Sequence, residues 1–206
     1  MDILNQFSNI AFIIGAIYTW HTWKQYDSDD YFSLSLIILV ALIGLGSFIF
    51  HTFPSDKTIW IDLIPIQIFG LSYFAYIGMK YFKASNFKIF MALITFFFVR
   101  QYWIIYMPRG ALGGGITHIP TIFLLLSCSL LLLSKYKKFS TMLLTAGIIY
   151  ILALITRAFD KQITLEFPVG AHWVWHILTA LTATILILAT VQYPANIKVK
   201  NIEQNA

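Results

Sequence analysis

The chain alternates between long apolar runs and short polar connections. Seven of these runs have the length of about 17–25 residues with which a helix crosses the hydrocarbon core of a bilayer. The predicted spans are residues 4–23, 31–52, 59–81, 87–107, 116–134, 140–156 and 169–192. The pattern therefore predicts an all-α integral membrane protein, with one seven-helix transmembrane domain over residues 1–193 and a short polar tail over residues 194–206.

Composition strengthens this interpretation. Of the 206 residues, 59% are hydrophobic and only 11% are charged. A soluble domain of this size could not bury so much apolar surface, so lipid must be the solvent for most of the chain. The net charge of +5 comes from scattered lysines that form no basic stripe, so nucleic acid is not an expected partner. The single cysteine, Cys128, can form no internal disulfide and is expected to be a small core residue.

The basic residues are distributed unevenly between alternate loops. One side carries nine: Lys24, Lys80, Lys83, Lys88, Lys135, Lys137, Lys138, Lys198 and Lys200. The other side carries fewer: Lys57, Arg109, Arg157 and Lys161. Because the more basic loops tend to be cytoplasmic, the pattern predicts an outside N-terminus and a cytoplasmic C-terminus.

Two histidines share one face at the start of the seventh predicted span. His172 and His176 lie four residues apart, so a helix places one a turn above the other. Ionisable residues inside a membrane span usually face a cavity or a partner and are functional candidates. The predicted topology also puts His51, at the end of the second span, at the same outer depth. We therefore predict that the three imidazoles meet at one metal ion.

The surrounding residues indicate a catalytic metal. Three neutral imidazoles with an open fourth position are the ligand set of catalytic zinc, which lowers the pKa of its bound water to about 7. Asp62, about one turn into the third span, lies at similar depth and can take the proton of that water. Ser47, one turn from His51, is a candidate hydrogen-bond donor to the oxyanion. If Asp62 were instead a fourth ligand, the zinc would be structural.

Other polar residues are candidates for supporting roles. Arg100 lies inside the fourth predicted span and needs a partner there, either a carboxylate such as Asp160 or the polar head of a substrate. Arg157 and Trp175 are further site candidates. His118 has no partner at helical spacing and is expected to line a cavity or to pack.

Glycines mark two further places. Gly44 and Gly46 are expected to allow close helix packing, which would help to bring the second span against the seventh. The run 113–115 predicts a flexible connection before the fifth span. It is no phosphate loop, because neither Lys-Ser nor Lys-Thr follows it.

In combination these motifs resemble the alkaline ceramidases. The resemblance is carried by Gly-x-Gly-Ser-x-x-x-His at Gly44–His51, an aspartate eleven residues later at Asp62, His-x-x-x-His at His172–His176, Asn-x-x-Ser-Asn at residues 5–9, and the runs Arg157–Asp160 and Pro168–His172. These motifs extend over the chain from end to end. They are specific together, although no single one would be.

The resemblance implies a seven-helix fold, an intramembrane zinc ion and an amidase activity. Zinc would be held by His51, His172 and His176, and its water would be contacted by Asp62 and Ser47. The reaction implied is hydrolysis of the amide of ceramide, a lipid drawn from the bilayer, to sphingosine and a fatty acid.

The chain departs from the family's pattern at its start. Eukaryotic members carry an acidic segment ahead of the first span that forms a calcium site, and here only Asp2, three residues before Asn5, matches part of it. The resemblance thus gives calcium dependence little support. A short, loop-poor chain rich in Ile and Lys is more typical of a bacterial member, which would place it in the inner membrane. The substrate could then be a host ceramide or another N-acyl lipid.

Two other functions compete with an amidase. The wider superfamily includes the adiponectin-type receptors, which share the zinc ligands, so a zinc-containing receptor is the main alternative. Its weakness is that the intracellular loops are only a few residues long and leave little surface for a cytoplasmic partner. A transporter is less favoured, because the chain has no internal repeat and few charges at mid-membrane depth.

Overall fold

Every regular element in the described residues is helical, as the hydropathy pattern predicts. The computed structural model describes residues 3–26, 30–108 and 110–195. Its elements are α1 (Ile3–Phe7), α2 (Ile10–Gln25), α3 (Tyr31–Thr52), α4 (Thr58–Lys80), α5 (Asn86–Tyr106), a 3-10 segment (Ala111–His118), α6 (Ile119–Leu132), α7 (Lys137–Glu166) and α8 (His172–Gln192). Asp2, Arg109, Lys198, Lys200 and the rest of the tail from residue 196 lie outside the described residues.

Six segments are long and apolar enough to cross a membrane. They are α3, α4, α5, the 3-10 segment joined to α6, α7 and α8. This supports a multi-pass helical membrane protein. The predicted first span differs, because it is interrupted at Ser8 and Asn9 into α1 and the 16-residue α2. The Asn9 amide and the Ser8 hydroxyl both donate to the carbonyl of Asn5, at 2.7 and 3.2 Å, and such side-chain bonds compete with helical ones.

Helix α7 is much longer than the predicted span of residues 140–156. It has 30 residues and continues to Glu166, since no Gly or Pro occurs between residue 157 and Pro168. Arg157 and Lys161 were expected in a loop, and that expectation is wrong. Both lie on the helix, as does Asp160. The extension gives the charged residues fixed positions along one rigid element.

The glycine run before α6 is a packed turn. Leu112, Gly113 and Gly114 all have positive φ, a conformation that glycine adopts without strain. A Cβ at Gly113 would meet the backbone carbonyl of Arg157, and one at Gly115 would meet Leu154. The expected flexible connection is therefore a close contact between the 3-10 segment and α7.

Gly44 and Gly46 allow close packing, as expected, but against other helices than the predicted one. A Cβ at Gly46 would meet the carbonyl of Ile61 in α4, and one at Gly44 would lie 2.8 Å from the Cβ of Phe12 in α2. Their contacts thus draw α3 to α2 and α4, and not directly to α8. This packing matters for the site, because it brings the end of α3 against the start of α4.

The core lies around α3 and α8. Leu36, Val40, Tyr73 and Ile187 have under 2% of their surface exposed. Helix α5, by contrast, has no buried residue among those described. It lies at the periphery of the bundle, beside an apolar groove that is described below with the proposed function.

Candidate metal centre

Three histidines from two helices converge at one end of the bundle. His51 is in the last turn of α3, and His172 and His176 are in the first two turns of α8. Their ring centroids are 4.6 to 5.3 Å apart, and one potential ligand atom of each lies within 4.8 Å of the others. The predicted convergence of the three imidazoles is confirmed, and together they could hold a metal ion.

The N-terminal segment supports two of these histidines. The Ser8 hydroxyl lies 2.8 Å from Nδ1 of His176, and the Gln6 amide donates to the backbone carbonyl of His51 at 3.2 Å. Hydrogen bonds to the second ring nitrogen fix the orientation of metal-binding imidazoles. Sequence reasoning gave Ser8 and Gln6 no role in the site. The signal was present in the polar residues that interrupt the first apolar run.

Arg157 contacts the third histidine. Its Nη1 lies 3.2 Å from Nδ1 of His172, and its guanidinium lies 5.3 Å from the ring centre of Trp175. Because a guanidinium only donates, Nδ1 of His172 is the acceptor in this arrangement and the ring proton is on Nε2, so a metal at Nε2 requires Arg157 to release this contact. Both candidates, Arg157 and Trp175, therefore belong to the site.

Asp62 and Ser47 meet where α3 packs on α4. Asp62 lies in the second turn of α4 and lines the cavity beside the histidines. Its Oδ1 is buried and has no hydrogen-bond partner among the described residues, whereas the Ser47 side chain interacts with the carboxyl group. Ser47 is only 4% exposed and, unlike Asp62, does not line this cavity. This position favours a role in orienting Asp62 over the expected contact with the oxyanion.

Asp160 holds the start of α8. Its Oδ1 accepts a hydrogen bond of 2.7 Å from the backbone N–H of Ala171, the residue before His172. An acidic side chain at a helix N-terminus satisfies a free N–H and suits the helix dipole. Gly170, with φ +63°, brings the chain over Asp160 so closely that a Cβ would lie 2.6 Å from Oδ1. Asp160 thus positions His172.

A cavity of about 610 Å³ connects the histidines to a second group of polar residues. His118 lines it, as expected, and its Nδ1 lies 2.7 Å from the Tyr150 hydroxyl. The His118 ring also packs on Trp175, with the centroids 4.9 Å apart. Arg100 lines the same cavity. Asp160 is bonded to α8 and does not line this cavity, so its pairing with Arg100 finds no support, and the alternative of a substrate head group stays open.

No protein-family model and no curated protein matches this chain. The fold and the site define the class of the molecule: an all-helical, multi-pass membrane protein in which three histidines lie close enough to bind a metal ion.

Proposed function

We propose that the protein is a zinc-dependent intramembrane amidase of the alkaline ceramidase type. It hydrolyses ceramide or a related N-acyl lipid to an amine, such as a sphingoid base, and a free fatty acid. One observation carries this proposal: three imidazoles from α3 and α8 converge in a cavity that Asp62 also lines and that adjoins an apolar groove.

The donor set fits zinc in an open coordination. Zn–N distances of about 2.1 Å in a tetrahedral site put the ligand nitrogens about 3.4 Å apart, so the three rings need to close by little over 1 Å. The metal-binding group among the described residues consists of the histidines without Asp62. This supports three protein ligands and a free carboxylate, the arrangement of catalytic sites, over a closed structural shell.

In the proposed reaction Asp62 is both base and acid. A zinc ion held by the three histidines would polarise the amide carbonyl and increase the acidity of water. Asp62 takes one proton from the attacking water, whose oxygen forms a bond to the carbonyl carbon. The same residue gives this proton to the amide nitrogen, so that the C–N bond breaks with a neutral amine as leaving group. Ser47 donates to the Asp62 carboxylate and keeps it aimed at the cavity.

An apolar groove supports a lipid substrate. It has a volume of about 860 Å³ and runs between α4, α5 and α6. Phe74 and Phe96 line both this groove and the cavity at the histidines. An acyl chain lying in the groove would therefore bring its carbonyl to the site from the bilayer, without passing through water.

The charge distribution supports an outside N-terminus and a cytoplasmic C-terminus. In this orientation the site opens near the non-cytoplasmic face, and a bacterial protein of this kind would act in the inner membrane.

Metal content and amide hydrolysis test the proposal together. The purified protein is assayed for bound zinc and for fatty acid released from ceramides and other N-acyl lipids. His51→Ala should lose both zinc and turnover, with the exposed His21→Ala as a matched control that keeps both. Asp62→Asn should keep zinc and lose turnover by roughly 10²-fold or more, and the exposed Asp56→Asn is its control.

The outcomes separate the alternatives. Full turnover by Asp62→Asn would disprove the role of this residue as base. Zinc binding without cleavage of any N-acyl lipid would instead support the receptor alternative.

A further inference from the structure

The cavity at the histidines carries more positive than negative charge. Its charged lining residues, among those described, are Asp62, Arg100 and Arg157, which sum to one net positive charge. A divalent ion on the three histidines would add two more. Uncompensated charge in a membrane interior is costly, so such a cavity favours a ligand with negative charge.

Arg157 has hydrogen-bonding capacity left over at the site. One of its terminal nitrogens contacts His172, but its Nε is buried and has no hydrogen-bond partner among the described residues. The guanidinium lies over Trp175, which holds it at the wall of the cavity. An oxyanion beside Arg157 would satisfy this donor and lie next to the metal centre.

Arg100 places a second positive charge on the wall of this cavity. It lies on α5 and lines the cavity together with the His118 ring and the Tyr150 hydroxyl. These two groups are hydrogen-bonded to each other. The two cations therefore border one cavity, Arg157 beside His172 and Arg100 on α5.

We propose that the substrate is an N-acyl lipid whose amine part carries a carboxylate or phosphate, held by Arg100 and Arg157. This inference rests on the proposed amidase function and specifies its substrate class. The acyl chain lies in the apolar groove, the amide lies at the histidines, and the anionic group of the amine part lies beside Arg100 and Arg157. Guanidinium groups suit this role because their paired donors match carboxylate and phosphate oxygens.

Hydrolysis of matched lipids tests the preference. N-dodecanoylglycine and N-dodecanoylethanolamine share an acyl chain and differ in the carboxylate, and ceramide phosphate and ceramide form a second pair. The anionic member of each pair should have a kcat/KM at least about tenfold higher, the size expected of a charge-assisted hydrogen bond. Arg100→Gln should reduce this ratio to below about threefold, and Arg100→Lys should restore part of it. Lys161→Gln, which removes an exposed charge from α7, should leave the ratio unchanged.

Binding measured without turnover keeps this inference separate from the amidase proposal. The zinc-loaded Asp62→Asn protein is titrated with the same amides, with dodecanoate and with inorganic phosphate, and binding is followed by native mass spectrometry. Tighter binding of the anionic amide than of its neutral partner, lost in Arg100→Gln, supports the anionic subsite even if no amide is cleaved. Equal binding of the two amides overturns it. The inference is also overturned if dodecanoate binds as tightly as the anionic amide, because the arginines would then hold the carboxylate of the acyl chain. It is overturned as well if inorganic phosphate binds as tightly as the anionic lipid.

Discussion

The hydrogen bond between Ser8 and His176 makes a sharp prediction about metal affinity. Ser8→Ala removes the hydroxyl that lies 2.8 Å from Nδ1 of His176. One net hydrogen bond contributes about 0.5–1.5 kcal/mol, which corresponds to roughly a 2- to 13-fold change in affinity. Loss of a partner to a metal-binding histidine typically costs about 10- to 100-fold. The two ranges overlap near tenfold, or about 1.4 kcal/mol, and that is the expected loss.

The assay is a competition titration of metal-free protein with zinc and a chelating dye. Ser35→Ala is the matched control, because Ser35, like Ser8, donates to the carbonyl three residues earlier, but it faces outward and contacts no histidine. It should bind zinc as the parent does. Unchanged affinity in Ser8→Ala would refute the reasoning, and so would an equal loss in both variants.

Three further predictions concern helix packing and the start of α8, and thermal unfolding in detergent measures each of them. Gly46→Ala should destabilise the bundle by about 1–3 kcal/mol, since the new methyl group meets a backbone carbonyl of α4. Gly70→Ala adds a methyl group at a position with no atom within 4 Å and should stabilise the bundle by about 0.5–1 kcal/mol. Tyr73→Phe removes a buried hydrogen bond of 2.9 Å to the backbone of α8 and should cost about 1 kcal/mol. Asp160→Ala should cost about 1 kcal/mol by uncapping α8 and should also weaken zinc binding, whereas Asp160→Asn keeps an acceptor oxygen and should lose less of both.

The convergence of the three histidines was predictable because its signals are local or follow from topology. The spacing of His172 and His176 needs only one helical turn, and the depth of His51 follows from counting spans. Close packing at Gly44 and Gly46 was also readable from the residue type. What the sequence did not provide was the identity of the packed helices, because a glycine permits contact without selecting a partner.

Ser8 and Arg157, which contact the histidines, were harder to predict. Hydropathy marks where an apolar run becomes polar but not where its helix ends. Charged residues can extend a helix beyond its apolar run, as residues 157–166 do in α7, so the hydropathy pattern predicts a loop at Arg157 where the structure has helix. The opposite error occurred at Ser8, where a run of the right length is broken by side chains that bond to the backbone. Both errors hid residues that contact a histidine.

These contacts join residues that are far apart in the sequence, which the short motifs of the site do not suggest. Ser8 and His176 are 168 residues apart, and Arg157 reaches His172 from a different helix. His176 is thus contacted from the turn after α1 and His172 from α7, while the Ser47 side chain in α3 interacts with Asp62. Because His172, His176 and Asp62 are each contacted from another helix or turn, the geometry of the site is set by the packing of the whole bundle. Helix α5 is the exception, since it supplies Arg100 yet has no buried residue among those described. A peripheral helix that borders both the groove and the cavity can move with little loss of core packing. Under the proposed function it is therefore the element that would admit a lipid from the side.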